Sequence, residues 1–169
     1  MSTDTFDAVM ARLDYPMIVV TTVHHNEPGG CLVGFHTQCS IDPPRYAVWI
    51  SRENHTARVA AHAEVFALHF LDGTNAAHHA LAELFGTVTD DTGDKFASCE
   101  WHPGPDGVPL LDACPVRVVG RRDAVVDTDG DHVAFVLEPL TVDLSDPPGS
   151  LTPLMFSQVR DLDAGHEVN

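Results

Sequence analysis

Small and short polar residues interrupt an otherwise apolar stretch at residues 30–44, which reads GCLVGFHTQCSIDPP. A buried strand is normally apolar throughout or alternates apolar with polar residues, and this stretch does neither. Gly34 and Thr37 would let the main chain come close to a flat ring and present its N–H and C=O groups to the polar edge of that ring. The stretch therefore predicts a wall against which a planar ligand binds.

A second group of residues, SRENHTAR at positions 51–58, favours an anion. Asn54 is a candidate N-cap of a short helix, and Thr56 brings a hydroxyl to the helix start, where free N–H groups attract negative charge. Arg52 and Arg58 can add charge-assisted hydrogen bonds. The alternative is an ordinary capped surface helix with two solvated arginines, and both interpretations stay open at this point.

Other catalytic and metal-binding patterns are missing from the sequence. The eleven histidines show no H-E-x-x-H or Cys/His finger spacing, so we expect surface side chains and no metal site. There is no G-x-G-x-x-G fingerprint, no P-loop lysine motif and no G-x-S-x-G elbow. A cysteine–histidine nucleophile stays open, but cysteines in apolar strands are normally inert packed thiols.

The net charge, the N-terminal residues and the cysteines indicate which partners the protein can bind and in which compartment it lies. Nine basic and twenty-five acidic residues give a net charge of −16, which repels nucleic acids and anionic membranes. The N-terminal residues have no signal-peptide pattern, and no apolar run is long enough to span a membrane. The four cysteines form no C-x-x-C pair and predict reduced thiols. We therefore expect a cytoplasmic protein that binds neither nucleic acid nor membrane.

The hydrophobic pattern predicts one mainly β domain over residues 1–169, a β-barrel with short α-helices. An Asp129-Gly130 turn predicts a long hairpin at the end of the barrel. We expect a turn or hairpin loop at 24–30, irregular chain at 101–109, and a tail from 145 to 169 that packs on a partner or frays. The predicted helices are 3–13, 54–62 and 75–85, and the predicted strands are 17–22, 31–41, 45–51, 65–72, 115–128 and 132–144.

Three segments in this order resemble one protein family: YPMIVVTT at 15–22, GCLVGFHTQCSIDPP at 30–44, and GDH at 130–132 inside the hairpin. The stretch GVPLL at 107–111 and the order FG (85–86) then DKF (94–96) agree with it. Together they resemble the flavin reductase-like, FMN-binding split-barrel family over about residues 8–142. The resemblance implies a six-stranded antiparallel Greek-key split barrel of the FMN-binding type, assembled as a homodimer with FMN near the subunit interface.

The resemblance also implies an activity and a set of site residues. It implies an NAD(P)H-dependent flavin reductase that transfers a hydride to FMN and supplies reduced flavin to a separate monooxygenase. His132 would lie near the flavin or the nicotinamide as a positioning group, unless it is a surface histidine beside the turn. Carried over by position, the phosphate would lie at Arg52, Asn54, Thr56 and Arg58, and the flavin would contact Leu32, Val33, Gly34, Phe35, Thr37 and Gln38.

Four of these positions depart from the family pattern, because Leu32, Gly34, Phe35 and Gln38 stand where the family has Thr, Asn, Ser and Ser. Several side-chain hydrogen bonds to flavin are therefore lost. This keeps three alternatives open: a split-barrel oxidoreductase that uses FAD, a deazaflavin or another substrate; a non-catalytic flavin- or haem-binding module; and a dimeric scaffold without a ligand.

Overall fold

The structure is a computed structural model that describes residues 3–89, 93–144 and 151–162 of the 169-residue chain. The α-helices are α1 (Thr3–Met10), α2 (His55–Ala60) and α3 (Ala76–Thr87). Single 3-10 turns lie at Pro105–Gly107 and Phe156–Gln158. The strands are β1 (Ile18–His24), β2 (Glu27–Val33), β3 (His36–Ser40), β4 (Arg45–Ser51), β5 (Val65–Phe70), β6 (Trp101–Pro103), β7 (Pro109–Leu111), β8 (Arg117–Asp127) and β9 (His132–Asp143).

One antiparallel sheet of seven strands, in the order β2-β1-β5-β8-β9-β4-β3, forms the body of the molecule. Its two edge strands, β2 and β3, follow each other in the chain and are joined only by Gly34 and Phe35. Because each residue of an extended chain spans at most about 3.6 Å, this link brings the two edges together and closes the sheet into a barrel. The barrel stays split there, because β2 pairs with β1 and β3 pairs with β4.

The predicted fold class, mainly β with short helices, is confirmed, but the strand count differs. The segment 31–41, predicted as one strand, is divided at Gly34-Phe35 between β2 and β3, so the main sheet has seven strands rather than six. The predicted irregular segment 101–109 contains β6 and the start of β7, which form a separate ribbon. The predicted hairpin around Asp129-Gly130 is confirmed as β8 and β9.

Residues 24–30, predicted as a turn or hairpin loop, contain the two-residue turn of the β1–β2 hairpin at His25 and Asn26, both with positive φ, and β2 begins already at Glu27. Glycine in the following strand allows helices to pack close to it. A Cβ atom on Gly30 would lie 2.6 Å from Cε1 of Phe85 in α3. Glycines that pack against distant helices look like turn residues in the sequence, which explains why the strand was predicted to begin only at residue 31.

Apolar residues cover both faces of β1, because the sheet is buried on both sides. Ile18 and Val20 point into the barrel core with Phe66 and Phe135. Val19 points outward, into a second core formed by α3, the β6–β7 ribbon and the C-terminal segment. This explains the nearly continuous apolar run MIVV.

The described part of the tail, residues 151–162, packs on its own chain. The side chain of Leu154 is fully buried in the second core. Its main chain pairs with the chain before β1, since Met17 N donates to Leu154 O at 2.7 Å and Phe156 N to Tyr15 O at 2.8 Å. The apolar positions LTPLMF therefore complete the core rather than fray or wait for a partner. The remaining predicted tail residues, 145–150 and 163–169, lie outside the described residues.

Two histidines are buried, against the expectation of surface side chains. His69 donates from Nδ1 to Val19 O and accepts at Nε2 from Leu111 N, which ties β5 to β1 and to the ribbon. His78 accepts from Asp72 N and donates to Ala113 O. Within the described part of the chain, no group of three or more His, Cys, Asp or Glu side chains could hold a metal ion. No helix in that part is long and apolar enough to cross a membrane.

We predict that His69 makes the fold acid-sensitive. Burial lowers its pKa from 6.5 to about 3, so the folded protein keeps a neutral imidazole where the unfolded chain binds a proton. Its contribution to the free energy of unfolding is complete above pH 6.5 and is lost progressively as the pH falls from there toward 3. The expected loss is about 2 kcal/mol between pH 6.5 and about pH 5.

Urea unfolding across this range measures the loss. His69→Gln should flatten the dependence of stability on pH, whereas His62→Gln, at an exposed position, should leave it unchanged. An equal dependence in His69→Gln and the unaltered protein would contradict the assignment.

Candidate functional site

A cavity of about 140 Å³ opens where the edges β2 and β3 meet, and we call it the seam cavity. It draws its walls from five places: the chain before β1, the end of β2 with its link to β3, the end of β4 with the start of α2, the start of β9, and the C-terminal segment. Its lining residues are Tyr15, Met17, Cys31, Leu32, Val33, Gly34, Phe35, Trp49, Ile50, Ser51, Asn54, His132 and Phe156.

Four rings form a continuous row along the seam cavity. The rings of Phe156 and Tyr15 stack, with centroids 5.0 Å apart and planes 13° apart. Tyr15 lies 6.1 Å from Phe35, and Phe35 lies 5.2 Å from His132. Phe35 is 53% exposed at the mouth of the cavity. Flat apolar walls of this kind suit a planar aromatic ligand.

The packing of the protein itself explains why residue 34 is a glycine. A Cβ atom at this position would lie 2.5 Å from Cε2 of Tyr15 and 3.1 Å from Sδ of Met17. The glycine is therefore required by the position of the Tyr15 ring. That it also lets a ligand ring approach the main chain stays a prediction.

A second cavity, of about 270 Å³, lies at the beginning of β2 and the start of α2, and we call it the lysine cavity. Lys95, the only lysine in the sequence, borders it. Lys95 Nζ donates to Gly30 O at 2.9 Å and lies 5.9 Å from the centre of the Phe85 ring. Asp94 also borders the cavity, and its Oδ1 accepts hydrogen bonds from Phe96 N and Ala97 N. The lining residues are Pro28, Gly29, Gly30, His55, Thr56, Gly93, Asp94, Lys95 and Phe96.

The two cavities adjoin along the chain. Gly30 lines one and Cys31 the other, and Asn54 and His55 are divided in the same way. Burial raises the pKa of the Cys31 thiol to about 11, so this cysteine is an inert part of the wall at neutral pH. One elongated ligand could therefore place a ring in the seam cavity and an anionic end in the lysine cavity.

The start of α2 agrees with the predicted cap. Asn54 is the N-cap, and its Oδ1 accepts from Thr56 N at 2.9 Å. Thr56 is buried and borders the lysine cavity, while Asn54 lines the seam cavity. Both predicted residues therefore lie at the junction of the two cavities.

His132 lines the seam cavity at the start of β9. Its Nδ1 lies 2.8 Å from Oδ1 of Asp131, and this hydrogen bond lowers the pKa of the Asp131 carboxyl. The bond fixes Nδ1 as the protonated nitrogen of the neutral ring and leaves Nε2 as the acceptor. The carboxylate therefore orients the imidazole.

The two predicted arginines form hydrogen bonds with other protein groups. Neither arginine lines one of the two cavities, as far as the described residues define them. Arg52 donates from Nε to Gly130 O and contacts the Asp127 carboxylate, which holds the β8–β9 turn close to His132. Arg58 is hydrogen-bonded to His55 Nδ1 at 3.1 Å on the surface of α2. Contact of either arginine with a phosphate stays a prediction.

Thr37 and Gln38 also lie outside the cavities, on the exposed edge strand β3. Their side chains bond to local main chain: Thr37 Oγ1 to Gln38 O and Gln38 Nε2 to Ser40 O. The structure thus brings six of the eleven predicted site residues together in the seam cavity and one in the lysine cavity. These seven are Leu32, Val33, Gly34, Phe35, Asn54 and His132, and then Thr56.

Among the cavity residues that were not predicted, Lys95, Tyr15 and Phe156 matter most for the site. Lys95 carried a signal, because it is the only lysine of a strongly acidic chain and lies in the DKF triplet quoted for the resemblance. Tyr15 begins the YPMIVVTT stretch quoted for the resemblance, but its pairing with Phe156 carried no signal, because it depends on how the C-terminal segment packs. Charge composition could therefore have identified Lys95, whereas the aromatic pair required the fold.

Comparison with known families gives a match over most of the chain. The family model described as "Flavin reductase like domain" matches residues 10–163. The FMN reductase (NADH) RutF of Ancylobacter novellus is 32% identical over 139 residues, which cover 80% of this chain and 72% of that protein. The stachydrine N-demethylase reductase subunit Stc3 of Rhizobium meliloti is 27% identical over 142 residues, covering 80% of this chain and 59% of that protein.

Solved structures support the fold. The NADH:FAD oxidoreductase SgcE6 of Streptomyces globisporus superposes with a TM-score of 0.76 and 21% identity. The alignment covers 92% of this chain and 88% of that structure. At this level of identity the likeness establishes a shared barrel architecture.

We predict that Gly34→Ala destabilises the protein through Tyr15. The added methyl group collides with the ring, and overpacking of this kind costs about 1–3 kcal/mol. Thermal unfolding of the single variants and of Gly34→Ala with Tyr15→Leu measures the coupling between the two positions. The double variant should lose less stability than the sum of the single variants.

Gly130→Ala is the matched control, because a Cβ atom there would meet only Thr128 Oγ1, at 3.6 Å. It should leave stability nearly unchanged. Additive effects of the changes at positions 34 and 15 would contradict the explanation given for Gly34.

Proposed function

The chain belongs to the flavin reductase-like family, and we propose that it is an NAD(P)H-dependent FMN reductase that supplies reduced flavin to a separate monooxygenase. The observation that carries the proposal is the pair of adjoining cavities, one walled by aromatic rings and one bordered by a lysine. FMN has the matching parts, a flat ring system at one end and a phosphate at the other.

The seam cavity fits the ring of FMN by its shape and its lining. Leu32, Gly34 and Phe35, which replace hydrogen-bonding residues of the family pattern, make this wall apolar. We propose that the ring binds mainly by stacking and by apolar contact, with the remaining polar contacts made by main-chain groups.

The lysine cavity fits the phosphate. Its wall includes an ammonium group, the buried Thr56 at the start of α2 and the main chain of Gly29 and Gly30. A cation at such a wall attracts a dianion locally, although the chain as a whole carries −16. We propose Lys95 as the phosphate-binding residue, in addition to the predicted residues at 52–58.

The chemistry of hydride transfer belongs to the flavin and the nicotinamide, and the protein supplies position and electrostatics. We propose His132 as a positioning group at the mouth of the seam cavity. Asp131 orients its ring, and Arg52 stabilises the preceding turn by a hydrogen bond to Gly130 O. Its fixed tautomer presents Nε2 as a hydrogen-bond acceptor. Phe35 beside it limits the access of water.

Two further properties belong to the proposal. The relative named as a reductase subunit supports a separate oxygenase partner. The four free cysteines support a location in the cytoplasm, which cell fractionation would test. Exclusive recovery outside the cytoplasmic fraction would contradict this compartment.

A homodimer is proposed because large apolar side chains stay exposed in two places. One is α1 together with residues 11–13 that follow it, none of which is buried, and the other is the long hairpin with its neighbouring loop. Exposed apolar surface of this extent normally marks an interface. The side chains are Phe6, Val9, Met10 and Leu13 at the first place and Ile41, Val125, Val126, Leu140, Val142 and Leu144 at the second.

The direct test of the function is oxidation of NADH or NADPH by the purified protein with added FMN. The proposal predicts flavin-dependent loss of nicotinamide absorbance with at least one nucleotide. No oxidation with FMN, FAD or riboflavin would contradict it. A Soret band in the purified protein would favour the haem-binding alternative, and activity only with a deazaflavin would favour the second oxidoreductase.

We predict that Lys95→Gln weakens the binding of FMN about tenfold or more and leaves the binding of riboflavin, which has no phosphate, unchanged. Titration with each flavin, followed by quenching of flavin fluorescence, measures both dissociation constants. Arg12→Gln, at an exposed position, removes the same charge outside the cavity and is the matched control. An equal loss for riboflavin and FMN would contradict the phosphate assignment.

The dimer predicts a mass of two 18.3-kDa chains by light scattering at micromolar concentration. Val142→Lys should weaken the association, because it introduces a charge into the exposed apolar face of the hairpin. A single-chain mass for the unaltered protein would contradict the dimer.

A further inference from the structure

The C-terminal segment is held on the barrel by a series of main-chain and side-chain bonds. Its main chain bonds to residues 15–17, which precede β1, and to residues 71–73, which follow β5. Ser157 adds two bonds to the Asp14 carboxylate, from N at 2.9 Å and from Oγ at 2.7 Å. The bonds from Ser157 lower the pKa of the Asp14 carboxyl. The segment therefore has a defined position beside the residues that precede β1.

This docking places one aromatic residue of the segment in the wall of the seam cavity. Phe156 N donates to Tyr15 O at 2.8 Å, and the two rings stack. Ser157 and Asp14, which follow Phe156 and precede Tyr15 in the chain, are also bonded to each other. Main-chain pairing thus sets the position of the two rings.

Gly34 fixes the place of the Tyr15 ring from another direction. The missing side chain at position 34 leaves the space that the edge of this ring occupies, since a Cβ atom there would lie 2.5 Å from Cε2 and 3.2 Å from Cδ2 of Tyr15. The β2–β3 link and the C-terminal segment therefore hold Tyr15 together in the wall of the seam cavity.

We propose that Tyr15 and Phe156 form the ring-contacting wall of the flavin site and set its affinity for the flavin ring. The C-terminal segment is then a functional part of the site. The proposal rests on the flavin-binding function given above. It commits the wall to the ring of the ligand, which riboflavin, FMN and FAD share, and not to the phosphate.

The test is the binding of riboflavin and FMN by variants of the wall, measured through flavin fluorescence. Phe156→Leu and Tyr15→Leu should each raise both dissociation constants by the same factor, about three- to tenfold, because an aromatic contact with the shared ring is lost. Phe156→Tyr and Tyr15→Phe keep a ring and should retain the affinity of the unaltered protein.

Two further variants distinguish direct contact of the two rings with the flavin from an indirect effect through the stability of the fold. Val159→Ala loosens the packing of the same segment, at a buried residue outside the cavity lining, and should change flavin affinity less than twofold. Ser157→Ala removes the Oγ bond to Asp14, while the bond from the main-chain N of residue 157 and both rings remain, and it should also have a small effect.

Each result decides the proposal. Unchanged affinity in Phe156→Leu and Tyr15→Leu, in a protein that still reduces flavin, overturns the wall and leaves the proposed function intact. An equal loss in Val159→Ala and Phe156→Leu also overturns it, because the segment would then act only through stability. Failure of the unaltered protein to bind any flavin overturns the proposed function and the wall together.

Discussion

The two-residue link between β2 and β3 is the constraint on which the rest of the structure depends. The strands lie at opposite edges of a seven-stranded sheet, and Gly34 and Phe35 alone connect them. The sheet must therefore close on itself, and Phe35 O accepts from Trp49 N at 2.8 Å at the point of closure. Because β2 and β3 do not pair with each other, the closed barrel keeps an open seam, and this seam holds the candidate site.

The same constraint explains why distant parts of the chain meet at the site. The start of α2 follows β4 at one side of the seam, and the β8–β9 turn brings His132 to it through Arg52. The C-terminal segment covers the other side and adds Phe156. Aromatic rings and apolar side chains dominate this wall, while the only lysine borders the adjoining lysine cavity. The arrangement separates the place for a flat ring from the place for an anion.

Several features were predictable because their cause is local in the sequence. The cap at Asn54 depends on residues two positions apart, and the β8–β9 turn depends on Asp129 and Gly130. The division of the predicted strand 31–41 could not be seen, because both halves are extended and differ only in their distant partners. The burial of His69 likewise depends on Val19 and Leu111, 50 and 42 residues away. Tyr15 and Phe156 are farther apart still, so local patterns carry no sign of their stacking.

A crystal structure of the protein with FMN tests the central claim, that one flavin occupies both cavities, most directly. We predict that the isoalloxazine ring lies in the seam cavity against the wall that Phe35, Tyr15 and Phe156 form. We also predict the phosphate in the lysine cavity, within hydrogen-bond distance of Lys95 Nζ. A flavin whose ring lies outside the seam cavity, or whose phosphate lies away from Lys95, would contradict it.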